Sequence, residues 1–224
     1  MSELKLIIGN RNYSSWSLRP WLMLRFHEIP FESHRVSLFV ETMERELAAY
    51  FSDTKVPVLI DGKTEVWDSL AILEYLAERF PEIHAWPEDR EARAVARSVS
   101  AEMHSSFPAL RNELPMNCRR CFPGFQPSDA AQRDIDRVLD LWRFCRERFG
   151  REGPWLFGRF SAADCMYAPV VMRFVSYEIP FDAVTGDYAE TLVGCAAMEE
   201  WVSLGRQESE VIEEDEAEWP SEPR

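Results

Sequence analysis

Three short stretches carry residues that could do chemistry. In "NYSSWSLRPWL" the adjacent hydroxyls of Ser14 and Ser15 stand where an apolar run, "LKLIIG", gives way to a helical pattern. A helix start offers unpaired N–H groups and the positive end of a dipole. Hydroxyls placed there either cap the helix or help hold an anion. A thiolate is such an anion, and each unit by which its pKa falls corresponds to about 1.36 kcal/mol. No cysteine occupies this turn, so a substrate would have to bring the sulfur.

The second stretch is Lys55-Val56-Pro57-Val58. A proline opening a strand cannot donate to the ladder. It is either an ordinary edge-strand proline or the site of a cis bond that turns the edge of Val56 outward, free to pair with an extended peptide. The third is Asp68-Ser69, ahead of "LAILEYLAERF". Either residue could simply cap that helix. Together, a carboxylate, a hydroxyl and free N–H groups could instead hold an α-amino-acid end of a ligand.

Other chemistry is excluded by pattern. The four histidines, His27, His34, His84 and His104, lie in neither a G-x-S-x-G turn nor an H-E-x-x-H helix. The net charge of −14 and the lack of a basic cluster argue against nucleic acid. "CRRC" (118–121) follows a helical stretch and precedes a loop, so its cysteines read as unconnected thiols, with no metal expected. No apolar run is long enough for a membrane span, and no signal peptide is read at the N-terminus. The cytoplasm is the expected location.

The elements that would position these residues follow from periodicity. Strands are predicted at 4–9 and 31–39, helices at 14–27 and 41–51, with Met43, Leu47, Ala48 and Phe51 on one side of the second. Asp61-Gly62 between two β-rich runs predicts a hairpin over 55–69, and 68–80 reads as a helix. The order β-α-β-α-β-β-α implies a mixed four-stranded sheet. After "PEIHAWPED" the strand signals vanish. Apolar residues from Ala92 to Leu114 recur every three or four positions, predicting one helix over 88–114 bent at Pro108. A helix from Ser128 to Phe149 stops at Gly150, and Ser161 with Asp164 has capping-box form. The chain thus divides into 1–80, a linker 81–88, an all-helical part 89–207 and an acidic tail 208–224. Val211, Ile212 and Trp219 are expected to anchor the tail.

With these residues in view, the chain resembles the cytosolic glutathione transferase superfamily over nearly its whole length. "VPVL" is similar to the cis-proline segment of that family, "DSLAILEYL" to its Ser-x-Ala-Ile segment, and "FSAADCMYAP" to its Ser-x-Ala-Asp capping motif. "YSSWSLRPWL" resembles the Ser-Ser-Cys-Ser-x-Arg motif of the zeta class, with Trp16 replacing the cysteine. The resemblance implies a thioredoxin-like α/β domain followed by an all-α domain. It implies a serine-type transferase that adds glutathione to a small hydrophobic electrophile. A glutathione-dependent isomerase, or a non-catalytic binding protein of the same fold, is the alternative. Ser14 is then the first choice to face the thiol, Ser15 the second and Tyr13 a distant third. Lys55, Val56, Pro57, Asp68, Ser69 and Trp16 would bind glutathione, with Arg11 and Arg19 as further local positive charge. Met103, His104 and Phe107 would wall the second-substrate pocket. A homodimer is implied too.

Overall fold

A computed structural model gives the structure of the chain and describes residues 4–224. Strand β1 (Leu4–Ile8) lies at the centre of a four-stranded sheet, and helix α1 (Ser15–Phe26) carries the chain to β2 (Phe31–Arg35), parallel to β1. A short α2 (Met43–Leu47) leads to β3 (Val58–Asp61) and β4 (Thr64–Trp67), and α3 (Ser69–Arg79) closes the unit. The sheet order is β2-β1-β3-β4, with β1–β3 and β3–β4 antiparallel. The mixed sheet expected from the β-α-β-α-β-β-α order is therefore present. Gly62 makes the hairpin possible: its φ of +61° at the first turn position favours a residue without Cβ.

The helical half contains α4 (Arg90–Ser105), α5 (Pro108–Glu113), α6 (Asp129–Phe149), α7 (Ala162–Ser176), α8 (Ala183–Val193) and α9 (Ala196–Gln207). Helix α7 is buried along nearly its whole length and packs against α1, α4 and α8. It thus joins the two halves in one apolar core. No helix among the described residues is long and apolar enough to cross a membrane.

Two helices differ from expectation. The helix predicted over 41–51 is only five residues, and Phe51 is 81% exposed. Only Leu47 of that helix is buried, too little to sustain a longer one. The helix predicted over 88–114 is broken rather than bent. Pro108 would collide with the carbonyl four residues back and pushes its predecessor out of the helical region. Ser106 is accordingly extended, Phe107 is left-handed at φ +65°, and Pro108 opens α5. Arg111 then caps the end of α4, donating from Nε to the Ser106 carbonyl at 2.9 Å and from Nη2 to those of Met103 and His104.

The acidic tail is held mainly by polar contacts. Arg119 donates to the Glu208 carbonyl (2.6 Å), the Glu210 carbonyl (2.8 Å) and the Tyr13 hydroxyl (2.7 Å). Tyr13 in turn donates to Glu216. The strands β5 (Arg120–Cys121) and β6 (Glu222–Pro223) pair antiparallel. Ile212 is buried and Trp219 donates to the Pro123 carbonyl at 3.2 Å, but Val211, an expected anchor, faces solvent.

The expected capping box starts α7. The buried Asp164 accepts from Ser161 N (2.8 Å), Ser161 Oγ (3.0 Å) and Leu156 N (3.1 Å). Asp164→Ala should therefore cost about 3 kcal/mol in urea unfolding, the scale of leaving buried donors unsatisfied. Burial pushes the Asp164 carboxyl from 3.8 up to about 6. The folded chain thus binds this proton more tightly than the unfolded one. The stabilisation is full below about pH 4 and is lost as pH rises through about 6. Wild-type stability relative to Asp164→Asn should fall over that window. Separately, Arg119→Ala should free the tail, giving rapid proteolytic trimming after about residue 207 while the body stays intact.

Candidate active site

A cleft of about 690 Å³ is lined by Trp16, Phe51, Ser52, Asp53, Lys55, Val56, Pro57, Trp67, Asp68 and Ser69. Two of the three stretches singled out in the sequence thus form its walls, and Trp16 supplies the third. The Val56–Pro57 peptide bond is cis. Val56 lies just ahead of the ladder, which begins at Val58. The Lys55 ammonium is 3.0 Å from Asp53, and both side chains are exposed.

Asp68 is the N-cap of α3 at φ +73°. Its Oδ1 accepts from Leu70 N (2.9 Å) and Ala71 N (3.2 Å), the two bonds expected of a capping carboxylate. Its Oδ2 lies 2.7 Å from His104 Nε2, at the end of α4. Ser69 Oγ accepts from Arg19 Nη1 at 3.1 Å. The cap and the candidate binding group are therefore the same atoms.

Ser14 and Ser15 are both buried and are not among the residues lining the cleft. They stand beside Trp16, at the N-terminus of α1. Ser14 is the N-cap: its Oγ accepts from Ser17 N at 3.4 Å and lies 2.8 Å from Ser17 Oγ. Ser17 Oγ accepts from Gly9 N at 3.0 Å. Ser15 Oγ accepts instead from Arg173 Nη2 at 2.8 Å, a bond between α1 and α7.

Three arginines surround this turn. The Arg19 guanidinium lies 4.4 Å from the Trp16 ring centroid and that of Arg111 lies 5.0 Å from it. Arg173 touches Ser15. None of the three forms an ion pair among the described residues. Their charge is met by carbonyls and hydroxyls, such as the Leu114 carbonyl that accepts from Arg173 Nε at 2.7 Å. Burial, and then the neighbouring arginines, push Arg19 well below its ordinary pKa. Burial likewise takes Arg173 down to about 10. Asp68 and Asp215 act on Arg19 and Arg173 without forming an ion pair with them, and the net positive charge of the three arginines favours an anion at the start of α1.

Met103 and Phe107, expected as pocket walls, are buried in the core, and His104 is engaged by Asp68. Arg11 is tied to the tail, with Glu208 accepting from its backbone N–H at 3.0 Å. Cys118 is buried, and Cys118 and Cys121 are both free thiols. Burial pushes the Cys118 thiol up to about 12, which suits an inert core residue. Arg111, Arg173 and Ser17 were not singled out from the sequence. Arg173 had a signal, since it stands alone in the apolar run "APVVMRFV" and a charge there needs polar partners.

Two family models match the chain: "Glutathione S-transferase, N-terminal domain" over residues 13–79 and "Glutathione S-transferase, C-terminal domain" over residues 128–202. The chain is 31% identical over 112 residues to a "Probable maleylacetoacetate isomerase" of Caenorhabditis elegans, covering 50% of this chain and 52% of that protein. It is 32% identical over 114 residues to "Glutathione S-transferase 1" of Dianthus caryophyllus, again covering 50% and 52%. The chain thus spans about half the length of these curated relatives. A crystal structure of a glutathione transferase homolog from Burkholderia, with bound glutathione, superposes with a TM-score of 0.68 at 26% identity. That match covers 92% of this chain and 100% of the other. A tau class enzyme from mango, Mangifera indica, at 18% identity shares the fold with a TM-score of 0.66, covering 91% and 96%. Two family models spanning both halves of the chain, over the fold just described, identify it as a member of the cytosolic glutathione transferase superfamily.

Proposed function

We propose that the chain is a serine-type glutathione transferase that binds glutathione as its thiolate and adds it to a small hydrophobic electrophile. The observation that carries this reading is the cleft itself. It sets the Val56 edge and the Asp68-Ser69 helix start against Trp16 at the start of α1. Glutathione is an extended peptide with an amino-acid end and a thiol. Val56 would pair with its cysteinyl part, beside Lys55 and Pro57, and Asp68 with Ser69 would hold its γ-glutamyl end. The thiol would reach Ser14, with Ser15 next to it.

Ser14 is the first choice by family resemblance. Its Oγ donates to Ser17 Oγ at 2.8 Å, and because a hydroxyl proton rotates, an arriving thiolate would draw that proton to the sulfur while Ser17 Oγ keeps the Gly9 N–H. Ser15 Oγ accepts from Arg173 Nη2, which leaves its own proton as the second candidate. The helix dipole and the three arginines add positive potential at the same place. The barrier falls because the thiolate is available near neutral pH and the electrophile is held beside it. Ser14→Ala should raise the pKa of bound glutathione by about one unit, followed by thiolate absorbance in the ultraviolet. An unchanged pKa in both Ser14→Ala and Ser15→Ala sinks the serine assignment. Failure to bind glutathione at millimolar concentration sinks the function.

A second reading, glutathione-dependent isomerisation, is favoured by the relatives named as probable maleylacetoacetate isomerases. Product mass separates the two. A transferase product gains glutathione, whereas an isomerised product keeps the mass of its substrate.

The family resemblance also supports a homodimer in the cytoplasm. Phe51 and Trp67, two of the residues that line the cleft, are also exposed and meet edge-on at 5.5 Å, an apolar patch at the cleft's edge that a second copy would cover. Light scattering should give about twice the 26.1 kDa of one chain. Phe51→Asp should shift that mass toward the monomer, and a monomeric wild type refutes the pairing.

A further inference from the structure

His104 was expected to face a second substrate, yet its ring nitrogen is bound to the carboxylate that would hold the first. We propose that His104 is a positioning residue for the glutathione amino group, acting through Asp68. This rests on the glutathione reading above and adds a residue from the helical half to that site.

A carboxylate offers about four lone-pair directions. Two on Oδ1 of Asp68 are taken by Leu70 N and Ala71 N, and one on Oδ2 by His104 Nε2. One direction remains, on Oδ2. An ammonium arriving in the cleft would take it, completing a fully bonded carboxylate. A neutral imidazole suffices as the donor, so Asp68 keeps its charge for the ammonium.

The histidine is itself well held. It sits in the last turn of α4, and its carbonyl accepts from Arg111 Nη2 at 3.4 Å. Its ring meets Trp16 edge-on at 5.4 Å, and Trp16 lies against Arg19 and Arg111. The histidine therefore reaches Asp68 from a fixed point on the opposite half of the chain. Asp68 is a short acid, with one side-chain torsion fewer than glutamate. Its two backbone bonds both fall on Oδ1, and His104 is the side chain that fixes Oδ2. Without it, Oδ2 would be free to turn toward water, and the remaining lone pair would lose its aim into the cleft.

The test compares glutathione with its deamino analogue, in which hydrogen replaces the γ-glutamyl amino group. Binding is measured by calorimetry on the full chain. His104→Ala should weaken glutathione by about tenfold, the scale of a hydrogen bond to a charged group, and leave the analogue unchanged. His104→Gln, which keeps an N–H donor, should restore most of the loss. His104→Phe, which keeps the ring contact with Trp16 but has no donor, should behave like His104→Ala. It also serves in place of that variant if His104→Ala does not fold. Equal weakening of both ligands, no restoration by glutamine, or no change at all would overturn the proposal while leaving glutathione binding standing. A wild type that binds neither ligand overturns both readings.

Discussion

Positive charge buried without a carboxylate partner is the constraint on which the junction between the two halves depends. Arg19, Arg111 and Arg173 come from three different helices and converge on Ser15, Trp16 and Ser69. A buried guanidinium is costly unless its N–H groups find acceptors. Those of the buried Arg173 and half-buried Arg111 do, while Arg19 bonds through Nη1 and leaves Nε without a partner among the described residues. Here the acceptors are mostly helix-end carbonyls and hydroxyls. Arg111 takes the last carbonyls of α4, and Arg173 takes those of Leu114 and Pro169. The same bonds that satisfy the cations also fix α1, α5 and α7 relative to one another. Removing one arginine would therefore loosen a joint as well as alter a potential.

The break at Pro108 belongs to this arrangement. An unbroken helix over 88–114 would have satisfied its own carbonyls and left Arg111 nothing to cap. With α4 ending at Ser105, His104 falls in a last turn that faces α3. A single proline thus sets where the helical half touches Asp68.

In both halves, much could be read from local signals. Asp61-Gly62 specifies a turn within four residues, and Ser161 with Asp164 specifies a helix start within four more. Such features depend on neighbours in sequence, which the sequence displays. The roles of Arg173 and Glu216 do not. Arg173 meets a partner 158 positions away and Glu216 one 203 positions away, and no periodicity encodes that pairing. The break at Phe107 was hidden for another reason. The apolar spacing runs unchanged through it, because Phe107, Leu110 and Leu114 are all buried across the break. Of the tail's apolar residues, Ile212 is buried and Trp219 packs beside Phe125, as composition suggested, while Val211 is exposed. Composition did not display the polar attachments that Arg11, Asn12, Arg35 and Arg119 make to residues 208–210.

The distribution of tryptophan has an optical consequence. Trp142 and Trp201 are fully buried, and the two exposed indoles, Trp16 and Trp67, both line the cleft. A large share of the red edge of the emission spectrum, and of the part open to an aqueous quencher, should thus originate at the site, with the half-buried Trp155 and Trp219 supplying the rest. Trp16 adds two stacked cations and an imidazole edge to its surroundings. The protein carries a fluorophore pair in its cleft, so occupancy can be followed without a label.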